Sequence, residues 1–292
     1  MDRPLVVGEI AYANVVPLFD AWRAAAGVGP DEAPPGVRIV RGEPAALNEA
    51  LAAGEIDLAP CSSIEYARRP DAYRLLPDLS IAADGAVESV LLFARRPLEA
   101  LAPAGRRPRV ALSPASAASN ALLRLILAER DIGAEFAPAA MASADGADAV
   151  LVIGDQALAA AADGARVARA AGYPLVYDLG CLWRDLTGLP FVFALFIVRA
   201  EAAETRPEDV ARIGAALAAA KRAAPARRLD LAAREAGRGG LSAERLAAYW
   251  AAIRYDLGPR EQAGLEAYFR LAARYGLLPA APPLRFTAAP LP

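Results

Sequence analysis

Ser62 and Ser63 stand where an apolar run, residues 56–59, passes through Pro60 and Cys61 into the alternating pattern of a helix. Serines at such a strand-to-helix corner can do two things. They can cap: Ser62 with Glu65 three residues later fits the capping box, in which both side chains satisfy free backbone N–H groups at the helix start. Or they can face outward, leaving Ser63 and the neighbouring N–H groups to receive an anion or a hydroxyl at the positive end of the helix. Corners of the same kind recur. Ser113, Ser116 and Ser119 follow the apolar stretch 109–112 at a spacing of three, and since one cap needs only one serine, the spare hydroxyls favour an anion cradle. Gly154 and Asp155 follow the apolar run 149–153; the glycine permits close backbone approach, and the aspartate reads either as an N-cap or as a carboxylate in a cleft. Asn14, shortly before Pro17, offers an acceptor and two donors either to a helix start or to a ligand.

The 292 residues include no histidine. That removes the commonest general base near neutral pH and every Ser-His-Asp or Cys-His scheme. Proton transfer is left to a carboxylate, a tyrosine, the single lysine Lys221, water or the substrate itself. Two cysteines, Cys61 and Cys181, lie far apart in unlike contexts, which argues against a disulfide or a zinc site. A net charge of -2 provides no basic face for nucleic acid. No stretch reaches the ~20 uninterrupted apolar residues of a membrane span. The chain passes directly from Met1 into a first strand without a signal-peptide pattern, so a cytoplasmic protein is expected.

The elements that must position these corners alternate. Strand-like runs at 5–10, 37–40 and 56–59 are separated by helical patterns, including 43–51, which stops at Gly54. Such alternation argues for α/β architecture with a parallel sheet flanked by helices. Residues 73–77 and 79–81 read as two short extended pieces. Ser89 opens an unbroken apolar strand to Ala94, and a second such strand occupies 191–198. Between them lies a block with its own strand and helix alternation, the layout of one lobe inserted into another. The expected division is 1–94 with 189–292 for the first lobe and 95–188 for the second, with a ligand cleft between. From Pro207 the pattern is helical, broken at Gly239-Gly240, and the proline-rich tail 279–292 is expected on the surface.

Several motifs in register carry a resemblance. The run 56–68, the segments 76–81 and 89–93, the stretch 187–194 and the opening 12–18 resemble the menaquinone-biosynthesis chorismate dehydratases of the futalosine route. The resemblance covers most of residues 5–200; the helical last third is similar in pattern alone. It implies a two-lobed fold like that of type II periplasmic binding proteins, each lobe a mixed sheet flanked by helices. It implies conversion of chorismate to 3-[(1-carboxyvinyl)oxy]benzoate with loss of water and without a cofactor or metal. In such a scheme the enolpyruvyl carboxylate of the substrate takes the ring proton while Asn14 positions it. Ser62, Ser63, Ser89, Ser113, Ser116 and Ser119, with Gly154 and Asp155, would hold the substrate. Ala118 stands where the family usually has threonine, and Val15, Cys181 and Leu186 also depart from the family pattern, which bears on the substrate grip. The sibling enzyme that forms 1,4-dihydroxy-6-naphthoate and a non-catalytic solute-binding protein share the expected fold; the Ser62 to Tyr66 corner fits the dehydratase better than the sibling. The expected partner is a small molecule, with no nucleic acid and no membrane.

Overall fold

The computed structural model describes residues 3–101, 105–138 and 146–288. The chain starts with β1 (Leu5–Ile10), a 3-10 turn at Ala13–Val15, α1 (Val16–Ala25), β2 (Val37–Gly42), α2 (Pro44–Ala53), β3 (Leu58–Ser62), α3 (Ser63–Arg68) and β4 (Tyr73–Ala83). It crosses over to β5 (Val90–Ala94), β6 (Arg109–Leu112), α4 (Ala117–Ala128), β7 (Glu135–Pro138), β8 (Ala149–Ile153), α5 (Gly154–Ala162), α6 (Arg166–Ala170) and β9 (Leu175–Asp178). Helix α7 (Leu179–Thr187) returns it to β10 (Phe191–Arg199), and α8 (Ala200–Thr205), α9 (Pro207–Arg234), α10 (Ala243–Ala252) and α11 (Pro259–Arg274) complete the fold.

Two five-stranded sheets result, ordered β2-β1-β3-β10-β4 and β7-β6-β8-β5-β9. In the first, β1 runs parallel to β2 and β3, while β10 is antiparallel to both β3 and β4. The second repeats the scheme: β6 is parallel to β7 and β8, and β5 is antiparallel to β8 and β9. Each crossover thus delivers a strand into the interior of the lobe it enters. Paired on both edges and packed by α5 and α7, β5 is buried at all five positions and reads as an unbroken apolar run. The same fact corrects the expected lobe boundary. Strand β5 belongs to the second sheet, so the first crossover falls between Ala83 and Val90 and not after Ala94.

The two expected pieces around Pro77 are one strand, β4, interrupted by a bulge. Leu195 of β10 pairs with Ser80 and Ile197 with Leu75, so four residues of β4 face one of β10, and Asp78 takes a left-handed φ of 56° to accommodate them. The proline-rich tail is paired as well as superficial: Leu75 N donates to Arg285 O at 2.8 Å and Thr287 N to Leu75 O at 2.9 Å. The last of its residues, 289–292, lie outside the described ones.

Asp178 ties the two crossovers together. Its carboxylate accepts from the N–H groups of Val87 and Glu88 on the outgoing segment (3.0 and 2.6 Å) and of Gly180 and Cys181 at the start of α7 (2.8 and 3.2 Å). The crossovers touch so closely that a Cβ at Gly180 would sit 2.2 Å from Gly85 O. Above this hinge one apolar core runs continuously through both lobes, from Leu5 and Leu58 to Leu122 and Ile153. Helix α11 spans the junction, with Tyr268 OH donating to Ala118 O at 3.2 Å. Among the described residues no helix is long and apolar enough to cross a membrane.

Candidate active site

Between the lobes lies a narrow cavity lined by residues of both. The first lobe lines it with Tyr12, Asn14, Ser62 and Phe193, the second with Ser116, Ser119 and Gly154, and the crossover with Ser89. None of the residues lining it carries a charged side chain. Its polarity comes from hydroxyls, one amide and the starts of α4 and α5, whose N-terminal ends carry partial positive charge.

The hydroxyls are arranged so that their protons remain available. Ser116 caps α4, its Oγ accepting from Ser119 N at 3.2 Å, and its own hydroxyl donates to Ser119 Oγ at 2.9 Å. Ser119 therefore keeps its proton for the cavity. Ser89 Oγ accepts from the buried Tyr249 OH at 3.0 Å, which likewise leaves the serine as a donor. Ser62 does not form the expected capping box. Its Oγ accepts across the cleft from Ala118 N at 3.4 Å, and Glu65 lies instead 3.6 Å from Arg69 and 3.8 Å from Arg68. The departure at Ala118 thus places a buried methyl group there, with the N–H and C=O of the residue spent on Ser62 and Tyr268.

Asn14 sits in the 3-10 turn between β1 and α1. Its side-chain oxygen is buried without a hydrogen-bond partner among the described residues, and an unpaired buried acceptor costs about 1–3 kcal/mol. The turn itself is held on several sides. Trp250 Nε1 donates to Ala13 O at 2.8 Å, Tyr255 OH to Asn14 O at 2.7 Å, and Ala13 N donates to Asp155 Oδ1 at 2.9 Å. Burial, with the Glu43 and Asp155 carboxylates adding to it, pushes the Tyr12 phenol up to about 12, so this ring presents a neutral hydroxyl. Gly154 N donates to Ser89 O at 2.8 Å, and the residue's φ of 63°, with the Tyr12 ring 3.0 Å from where a Cβ would lie, disfavours a side chain.

Three of the residues expected at the site are elsewhere. Ser63 is fully buried one step round α3, its hydroxyl facing the interior without a partner among the described residues. Ser113 and Asp155 line a neighbouring groove with Glu43 and Gln156. Ser113 Oγ there accepts from Ala115 N at 3.3 Å, and Asp155 occupies the first turn of α5 without capping it. Sequence reasoning passed over Tyr12, Phe193 and the aromatic donors Tyr249, Trp250 and Tyr255. The last three come from a helical region whose local pattern reports amphipathicity and nothing of what it touches.

A family model for menaquinone biosynthesis matches residues 5–274. The chain belongs to that family. Within it, the chain is 36% identical over 276 residues to the chorismate dehydratase of Thermus thermophilus, a match covering 91% of this chain and 94% of that one. Among solved structures, protein AF1704 from Archaeoglobus fulgidus is similar with a TM-score of 0.69 at 20% identity, covering 95% of this chain and 99% of that one. The alkanesulfonate-binding protein SsuA from Xanthomonas axonopodis pv. citri, bound to MOPS, follows with a TM-score of 0.66 at 17% identity over 98% and 97% of the two chains. The Candida albicans CA3427 gene product, described as having the generic periplasmic binding protein fold, gives 0.63 at 11% identity over 94% and 90%. These structural likenesses establish the fold alone, and this menaquinone-biosynthesis family member has the two-lobed form of periplasmic binding proteins.

Proposed function

We propose that the chain is a chorismate dehydratase, a hydro-lyase that removes water from chorismate to give 3-[(1-carboxyvinyl)oxy]benzoate. The observation that carries this reading is the uncharged, hydroxyl-rich cavity between the lobes with the Asn14 amide oxygen buried and unpaired in its wall. A substrate with two carboxylates and a ring hydroxyl supplies what such a wall lacks. Ser62, Ser89 and Ser119 donate to the carboxylates, and the starts of α4 and α5 favour their charge. The amide of Asn14 has one acceptor and two donors, so it can accept from the ring hydroxyl while donating to the enolpyruvyl carboxylate.

The chemistry is a 1,2-elimination. The C–H bond at the carbon bearing the enolpyruvyl ether breaks, its electron pair becomes the new ring double bond, and the C–O bond to the neighbouring hydroxyl breaks. The proton passes to the enolpyruvyl carboxylate and then to the departing hydroxide, giving water. Aromatisation drives the step, and no change of oxidation state occurs. The protein's part is to hold the carboxylate against the C–H bond and keep bulk water away. A neutral amide is far too weak a base to take that proton, so Asn14 acts by orientation. Incubating the protein with chorismate should yield a product lighter by one water, detected by mass. Chorismate that is bound and recovered unchanged would overturn the reading in favour of a solute-binding role.

A further inference from the structure

We infer that Asp155 is a positioning residue: from the second lobe its carboxylate grips the Ala13 peptide of the first, so that Asn14 is set for reaction only when the lobes are together. The Ala13–Asn14 turn is held by three long-range hydrogen bonds of different origin. Trp250 and Tyr255 grip Ala13 O and Asn14 O from the region around α10, which packs on α9 and through it on α1 and β4 of the turn's own lobe. Asp155 Oδ1, 2.9 Å from Ala13 N, lies on α5 in the other lobe. That acceptor arrives only with closure, and its departure would leave Ala13 N without this partner.

Asp155 is placed for holding and not for proton abstraction. It lines the neighbouring groove and not the cavity that contains Asn14. One oxygen is engaged by Ala13 N, and the other lies 3.9 Å from Arg238, which is itself anchored by Glu235 at 2.8 Å. The preceding residue reinforces the placement. Gly154 packs against the Tyr12 ring, where a Cβ would sit 3.0 Å away, so α5 starts directly against the segment leading into the turn. A carboxylate required only for the helix dipole would need none of these contacts across the cleft.

The catalytic half of this inference rests on the chorismate dehydratase reading; the placement half does not. Asp155→Ala should lower kcat by on the order of 10- to 100-fold through misorientation, while the Michaelis constant moves by less than about threefold. Asp155→Asn keeps an acceptor oxygen and should recover most of the loss. In an Asn14→Ala background Asp155→Ala should cost less than about threefold further, because residues acting through one another are not additive. Amide exchange in residues 11–16 should quicken in Asp155→Ala and not in Asp155→Asn. If the alanine variant does not fold, Asp155→Glu, which displaces the acceptor, carries the same expectations. Full additivity with Asn14→Ala, or an Asp155→Asn variant as impaired as Asp155→Ala at unchanged Michaelis constant, overturns the inference and makes Asp155 an independent acid or base. If the wild type leaves chorismate unchanged, the functional reading falls by itself and exchange decides the placement: equal protection in all variants overturns it.

Discussion

Asn14 and the serines around it divide the work between orientation and charge. Replacing Asn14 by aspartate preserves size but sets a negative charge against a carboxylate that must approach it. Turnover of Asn14→Asp should fall below that of Asn14→Ala, which loses orientation alone; equal turnover in steady-state assays would argue against a carboxylate at this position. Ser89 is the residue whose donor role depends on a neighbour. Its oxygen is occupied by Tyr249 OH, whose burial pushes the phenol far above its ordinary range and keeps it a donor. Tyr249→Phe frees the serine to rotate, and the Michaelis constant should rise several-fold with kcat little changed. Ser89→Ala should raise it further, by the roughly 1.5–3 kcal/mol of a hydrogen bond to a charged group. An unchanged Michaelis constant in both variants would remove Ser89 from the substrate's surroundings.

At the scale of elements, the helix starts and the crossovers decide what the cavity presents. The capping hydroxyl of Ser116 and the donor hydroxyl of Ser119 are linked. Ser116→Ala should therefore weaken both the start of α4, at about 1 kcal/mol, and substrate binding through Ser119. The crossovers hold Ser89 in place under strain. Glu88, its neighbour, has a left-handed φ of 61°, a conformation costing of order 1–3 kcal/mol for a side-chain-bearing residue, and Asp178 accepts from its N–H at 2.6 Å. Asp178→Ala would leave the N–H groups of both crossovers unsatisfied, and urea unfolding should show a loss on the order of 2–4 kcal/mol. A loss under about 0.5 kcal/mol, typical of surface positions, would mean that the hinge does not depend on this carboxylate.

For the whole molecule, the contacts of Ser62 with Ala118 and of Ala13 with Asp155 join the two lobes. A dicarboxylate gripped from both sides should favour the arrangement in which these contacts are made. Small-angle scattering should then show compaction on adding product, and identical curves with and without it would argue against ligand-linked closure. The same junction has a pH signature. Burial raises the Asp155 carboxyl above 3.8 against the smaller opposing effects of Ala13 N–H and Arg238. Between 3.8 and the raised value the folded state binds more protons than the unfolded one, so the contribution of Asp155 to stability falls as pH rises through that window and is level above it. The stability of the wild type relative to Asp155→Asn should therefore be greatest at the acid end and decline toward neutral pH. A pH-independent difference in unfolding free energy would contradict the burial of this group.

Local rules made much of the chain legible. The order of strands and helices and the stop of α2 at Gly54 depend on residues within a turn of one another, where propensity and hydrogen-bond reach operate. The serine corners were visible for the same reason, and the absence of histidine limited the chemistry without any structure. What the chain order could not decide was direction and partnership. Whether Ser62 or Ser63 faces the cavity depends on how α3 is rotated against the core. The membership of β5 depends on which strands pair with its two edges, since an unbroken apolar run reads alike in either sheet. The donors that hold Ser89, Ala13 and Asn14 lie 160, 237 and 241 residues away. No spacing encodes such pairs; the packing of the C-terminal helices and the docking of one lobe on the other bring them together.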